Sequence, residues 1–110
     1  MTEYQRVVVY ITAPREEANR IARVLVEEKL AACANIVDRV SSIYWWEGRV
    51  EEDEEALIIL KTELGLVSRL VRRVKEIHPY SVPEVIALPI IAGNPDYLVW
   101  ISESIGVKEE

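Results

Sequence analysis

SIYWWEGRVEEDEEALIILKT, residues Ser42 to Thr62, carries β-favouring side chains on both sides of Glu47-Gly48. Aromatic and β-branched residues flanking a short Gly-containing turn specify a long β-hairpin. Its second arm changes character midway. Glu51, Glu52, Asp53, Glu54 and Glu55 cannot all be buried, whereas Ala56–Leu60 is an unbroken apolar run, as found where both sheet faces are covered. The hairpin therefore reads as an arm half in the core and half projecting from it. Trp45 and Trp46 near its tip point to opposite faces. At least one faces water in a single protomer and invites a partner subunit.

The flanking segments alternate between strand and helix patterns. Tyr4–Thr12 is a strand with an apolar centre from Val7 to Ile11. Pro14 suits the first turn of a following helix, whose positive end favours Glu16 and Glu17. Ala18, Ile21, Ala22 and Leu25 fall at i, i+3, i+4 and i+7, so this helix, ending near Lys29, buries one stripe. Small residues Ala31–Ala34 lead into the first hairpin strand, where Asp38-Arg39 interrupts the alternation as a bulge or bend. After the hairpin, Val67, Leu70, Val71 and Val74 repeat the helical spacing until Pro79, and His78, preceding a proline, is biased away from helix. Val85–Ile91 is a short strand, placed at an edge or bulge by Pro89. Gly93-Asn94-Pro95 turns the chain into a terminal helix, Asp96–Ser104, and the tail Lys108–Glu110 frays. The order β-α-β-β-α-β plus a small helix is the split-βαβ, ferredoxin-like pattern of an α+β domain. Both main helices then cover one face of an antiparallel sheet, and the uncovered face implies a homo-oligomer.

Composition narrows the partners. The 110 residues, 1–110, form a single domain, 50% hydrophobic with a formal net charge of −6, which disfavours nucleic acid and anionic membranes. No apolar run approaches the roughly 20 residues of a membrane span, and no basic leader precedes a cleavage site, so a cytoplasmic location is expected. One cysteine, Cys33, excludes an intrachain disulfide and a multi-cysteine zinc site. Arginine outnumbers lysine nine to four, consistent with a thermostable protein. No enzyme signature is present. A catalytic set would have to use His78, the single histidine, and the four scattered glycines make no phosphate-cradling loop. The acidic run reads as a solvated strand rather than a metal box.

VVVYITAP, EKLAACANI, SIYWWEG, ILKT, HPYSVPE and GNPDYLVW occur in the order and spacing of the CutA family of divalent-cation tolerance proteins, over about residues 6 to 105. The chain resembles that family. The resemblance implies a homotrimer whose hairpins pair with neighbouring subunits, an architecture similar to the PII signalling proteins. It also implies a role in tolerance to copper and other divalent cations and, in animals, in acetylcholinesterase anchoring. A purely structural or anchoring trimer without ligand is the alternative.

Within these motifs Lys61 ends a buried strand, where a cation needs a carboxylate, water or an anionic ligand. Glu84, after Pro83, is a candidate partner, and Tyr44, Trp46, Tyr80, Tyr97 and Trp100 are candidates to line the same crevice around a small anion. For metal, His78 is the one candidate imidazole. Some members similar to this chain carry a cysteine at the position of Ile11 and a second histidine at that of Ile77; with neither, only weak binding of a divalent cation such as copper is expected, and no resident cofactor.

Overall fold

The computed structural model describes residues 5–106. Eight elements follow in chain order. They are β1 (Arg6–Ala13), α1 (Arg15–Glu27), β2 (Cys33–Trp46), β3 (Arg49–Glu63), a 3-10 turn (Leu64–Leu66), α2 (Val67–Ile77), β4 (Val85–Pro89) and α3 (Pro95–Ser104). The β-α-β-β-α-β order is as expected, with small boundary shifts. Pro14 caps α1 from outside rather than opening its first turn, and β4 stops at Pro89, two residues early. Tyr4 and the tail Lys108–Glu110 lie outside the described residues.

The four strands are ordered β2-β3-β1-β4, and every neighbouring pair is antiparallel. Alternation along β1 sends Val7, Val9, Ile11 and Ala13 to one face, where they meet Thr62, Leu60, Ile58 and Ala56 of β3. Both long helices cover this face. Ala18, Ile21, Ala22 and Leu25 of α1 and Leu70 and Val74 of α2 are buried against it, completing one core. Arg73 on α2 ties the helices together through both oxygens of Glu28, each at 2.9 Å. At the end of α1, Leu30 N–H bonds Leu25 O and Lys29 N–H bonds Val26 O, the Schellman arrangement, with Lys29 at φ 60°.

The hairpin turns at Glu47 and Gly48, both with positive φ (50° and 80°), as a two-residue type I′ connection requires. The register slips between Val37 and Val40, which places a bulge at Asp38-Arg39 as the sequence indicated. Arg15 holds that bulge through the Asp38 carbonyl (3.1 Å) and carboxylate (2.8 Å). β3 pairs with β1 only over Ala56–Glu63, so Arg49–Glu55 is paired with β2 alone. These seven residues extend about 23 Å beyond the body at the usual strand rise. Trp45 is 75% and Trp46 47% exposed on this arm.

The second sheet face is covered only at one end. α3, capped by the Asn94 side chain accepting Asp96 N–H at 3.0 Å, buries Ile101 and Ser102 there. Arg6 donates to Ser102 Oγ (2.9 Å) and pairs with Glu63 (3.3 Å), and Ser102 also bonds Glu63. Elsewhere on this face Val37, Ile86 and Leu88 stay exposed.

Candidate ligand groove at the base of the arm

The strand register sorts the sequence-selected residues into two places. On the open face, Thr12 stands opposite Leu57, and Lys61 lies four residues further along β3, opposite Val8 and Cys33. That separation is about 13 Å. Where the arm leaves the body, a groove of about 770 Å³ opens between β2–β3 and the loop connecting α2 to β4. Tyr44, Trp46, Tyr80 and Glu84 line it together, as the sequence suggested, and Asp53 and Glu55 join them. Lys61, Tyr97 and Trp100 stand at the other end of the face. There Lys61 Nζ bonds Asn35 Oδ1, Cys33 Sγ lies 3.5 Å from Tyr97 Oη, and Tyr97 stacks on Trp100 with centroids 5.3 Å apart. The Tyr97 hydroxyl is pushed up by its hydrogen bond to Cys33, with burial adding to it. The expected Lys61–Glu84 ion pair is therefore absent. Glu84 Oε1 instead accepts from Thr12 Oγ1 at 3.2 Å.

His78 also needs correction as a metal ligand. It is only 7% exposed, and both ring nitrogens are engaged. Nε2 sits 2.8 Å from the Thr12 carbonyl and Nδ1 3.1 Å from the Tyr80 amide. A carbonyl can only accept and an amide N–H only donate, so the ring is the neutral Nε2–H tautomer with no lone pair left for a metal. Its role is to hold the loop. α2 ends as His78 turns extended (ψ 139°), and the imidazole seats Tyr80 with ring centroids 4.7 Å apart. Among the described residues no group of three or more His, Cys, Asp or Glu is arranged to hold a metal ion.

Tyr80 in turn reaches across the groove and donates its hydroxyl to Glu55 Oε2 at 2.7 Å. Glu55 is 6% exposed, the most buried carboxylate described. On the arm, Tyr44 donates to Asp53, its diagonal neighbour across the hairpin. Each of the three groove carboxylates thus takes one hydroxyl hydrogen bond. Both phenols are raised above the ordinary tyrosine value. The Tyr44 hydroxyl is pushed up to about 12, chiefly by its hydrogen bond to Asp53, then by burial and the charges of Asp53, Glu55 and Glu51. Tyr80 is raised mainly by burial and next by its bond to Glu55.

Glu55 and Asp53 were not singled out as site residues from sequence, although a signal existed. The two-residue turn fixes the register Tyr44↔Glu51 and Ser42↔Asp53, which sets Asp53 diagonally beside Tyr44. Glu55 is the last acid before the apolar run and shares the parity of Leu57, Ile59 and Lys61, so it faces the open side of the sheet.

A four-stranded antiparallel sheet, helix-backed on one face, with a two-stranded arm and an aromatic, acid-lined groove at its base, defines the class as an open-faced α+β protomer. Residues 7–104 match the family described as CutA1 divalent ion tolerance protein. The chain belongs to that family. It is 54% identical to the divalent-cation tolerance protein CutA of Thermus thermophilus over 100 residues, covering 90% of this chain and 97% of that one. It is 48% identical to the mouse protein CutA over 95 residues, 86% of this chain but 54% of the mouse protein. The crystal structure of CutA1 from Oryza sativa superposes with a TM-score of 0.88 at 49% identity, over the whole of both chains. No helix of the described residues is long and apolar enough to cross a membrane.

Proposed function

We propose that this CutA-family chain works as a homotrimeric, ferredoxin-like and PII-like binding module in divalent-cation tolerance, with a small ligand held in the groove at the base of the arm. One observation carries the reading. The groove is concave, walled by Tyr44, Trp46 and Tyr80, and floored by a nine-tenths-buried carboxylate, Glu55. Small-molecule sites combine apolar aromatic walls with a few fixed polar groups in this way. The uncovered sheet face and the exposed Trp45 support the trimer, because contiguous exposed apolar surface needs a partner. A non-enzymatic role is part of the proposal, since His78, the single histidine, is committed to the Thr12 carbonyl and the Tyr80 amide. Divalent cations, copper included, are expected to bind weakly and through oxygen donors, because copper favours imidazole and thiolate. Titration of small solutes followed by Trp fluorescence tests the site. Saturable binding lost in Tyr80→Phe supports it, and a groove inert to every solute leaves a scaffold trimer instead.

A further inference from the structure

The loop joining α2 to β4, residues 78–84, has no regular structure, and His78 is its one buried residue. Pro79 and Pro83 carry no N–H to donate. Residues 79–83 make no backbone–backbone hydrogen bond among the described residues. Side chains fasten the loop instead. His78 Nε2 donates to the Thr12 carbonyl at 2.8 Å, and the Tyr80 amide donates to His78 Nδ1 at 3.1 Å. Thr12 Oγ1 donates to Glu84 Oε1 at 3.2 Å, and Tyr80 Oη to Glu55 Oε2 at 2.7 Å. Thr12 thus grips the loop at both ends, and the imidazole is its innermost fastener.

The imidazole differs from the other fasteners in where a proton can go. Nε2 already carries the hydrogen, so an added proton has only Nδ1 to occupy. There its N–H would point at the N–H of Tyr80, and the bond that seats the loop is lost. The ring finds no compensation where it lies. It is 7% exposed, and among the described residues no carboxylate bonds either nitrogen. A buried charge without such a partner is costly, so a charged ring has to swing toward water. The charged groups around it come from every neighbouring element. From α1, Arg20 donates to the Ile77 carbonyl at 2.8 Å and also holds Glu17. Arg15, Glu16, Asp53 and Glu54 share a hollow with Tyr80, whose ring lies 4.7 Å from the imidazole. β3 supplies Glu55 through Tyr80, the loop supplies Glu84 through Thr12, and Lys75 and Glu76 stand on the last turn of α2.

We propose that His78 is an acid-sensitive clasp: charging its ring and seating residues 78–84 exclude each other, so a fall in pH frees the loop and uncovers Glu55. This goes beyond the ligand reading, because it needs no occupant in the groove. The seated loop binds one proton fewer than the freed loop, so the clasp holds at higher pH and is lost as pH falls. The test is an NMR titration of the full chain, in its assembled state, from about pH 8 to about pH 5. A single histidine gives one ring signal, and 15N-tyrosine labelling reports five amides. The ring and the Tyr80 amide should change with one shared midpoint, while the Tyr97 amide on α3 stays still. His78→Gln, which can donate and accept without taking a proton, should abolish the Tyr80 change. Tyr80→Phe removes only the Glu55 fastener and should raise the ring's midpoint, by about one pH unit for each tenfold loss of loop closure. That variant decides the matter even where His78→Gln fails to fold. A ring that titrates while the Tyr80 amide stays still overturns the clasp. So does a Tyr80 change that persists in His78→Gln, which would assign it to Glu55 or Glu84. A ring that takes no proton before the whole chain unfolds overturns it too.

Discussion

The two faces of β3 are built from alternating residues of one strand and meet opposite fates. Ile58 and Leu60 are fully buried beneath α1 and α2, while Leu57, Ile59 and Lys61 look the other way onto a face that α3 covers only at one end. The helix face is a closed, chiefly apolar core, in which the buried Thr62 hydroxyl donates to the Leu30 carbonyl at 2.7 Å. The open face mixes apolar side chains with Thr12, Asn35, Glu55 and Lys61, each held by a specific polar partner. Enclosed apolar packing is concentrated on the first face, and exposed aromatic and polar groups on the second.

The sharpest way to break that contrast is a pair of truncations on opposite faces. Ile58→Ala should cost about 3–4 kcal/mol in denaturant unfolding, because a fully enclosed cavity replaces three heavy atoms. Ile86→Ala, half exposed on the open face, should leave the protomer core intact and show its effect in assembly. Equal unfolding costs within an isolated protomer would erase the distinction.

Next in size is His78→Ala, expected to lose about 2–3 kcal/mol by leaving the Thr12 carbonyl and the Tyr80 amide without their partner. It should also loosen the groove, so ligand binding falls with stability. Lys61→Ala, at the far end of the same face, should leave the groove untouched.

Tyr80→Phe removes the hydroxyl that holds Glu55 and should cost about 2 kcal/mol. The tyrosines also set an alkaline signature. Tyr44 is raised in the folded state from its ordinary 10.0 to about 12, so its folded form favours the neutral phenol. The stabilisation from that bond is complete below about pH 10 and is lost as pH climbs toward 12. Ultraviolet titration of phenolate should show at least two tyrosines ionising late, one fewer in Tyr44→Phe.

The smallest effect belongs to the body. Lys29 occupies the left-handed position that closes the Schellman end of α1. Lys29→Gly should raise stability by about 1 kcal/mol, since glycine carries no Cβ penalty there. Thermal unfolding would detect it.

Legibility in the sequence followed the same division. Helix stripes such as Ala18, Ile21, Ala22 and Leu25, the turn at Glu47-Gly48 and the bulge at Asp38-Arg39 are written in local periods, and the structure reproduces each. Pro14 and Pro89 shifted boundaries by a residue or two, because a proline disfavours the continuation of an element without fixing where it ends. The groove was half legible. Tyr44, Trp46, Tyr80 and Glu84 converge as expected. Lys61, Tyr97 and Trp100 do not join them, since their place depends on the strand order β2-β3-β1-β4 and on which end of the open face α3 crosses. No local pattern encodes that. Glu55 was hidden in a run of five acids whose other members are solvated or paired on the arm, and only pairing register separates it from them. His78 looked like a ligand because imidazole is versatile; its neighbours, Thr12 from β1 and Tyr80 from the loop, decide that it is a strut.

Mass in solution tests the central claim most directly, namely that the open face and the arm exist to meet other copies of the chain while the helix face sustains each protomer. Light scattering on the full chain at micromolar concentration should give three times the protomer mass, and Trp45→Ala should shift it toward smaller species without unfolding them. A monomer mass for the unaltered chain at that concentration would contradict the account.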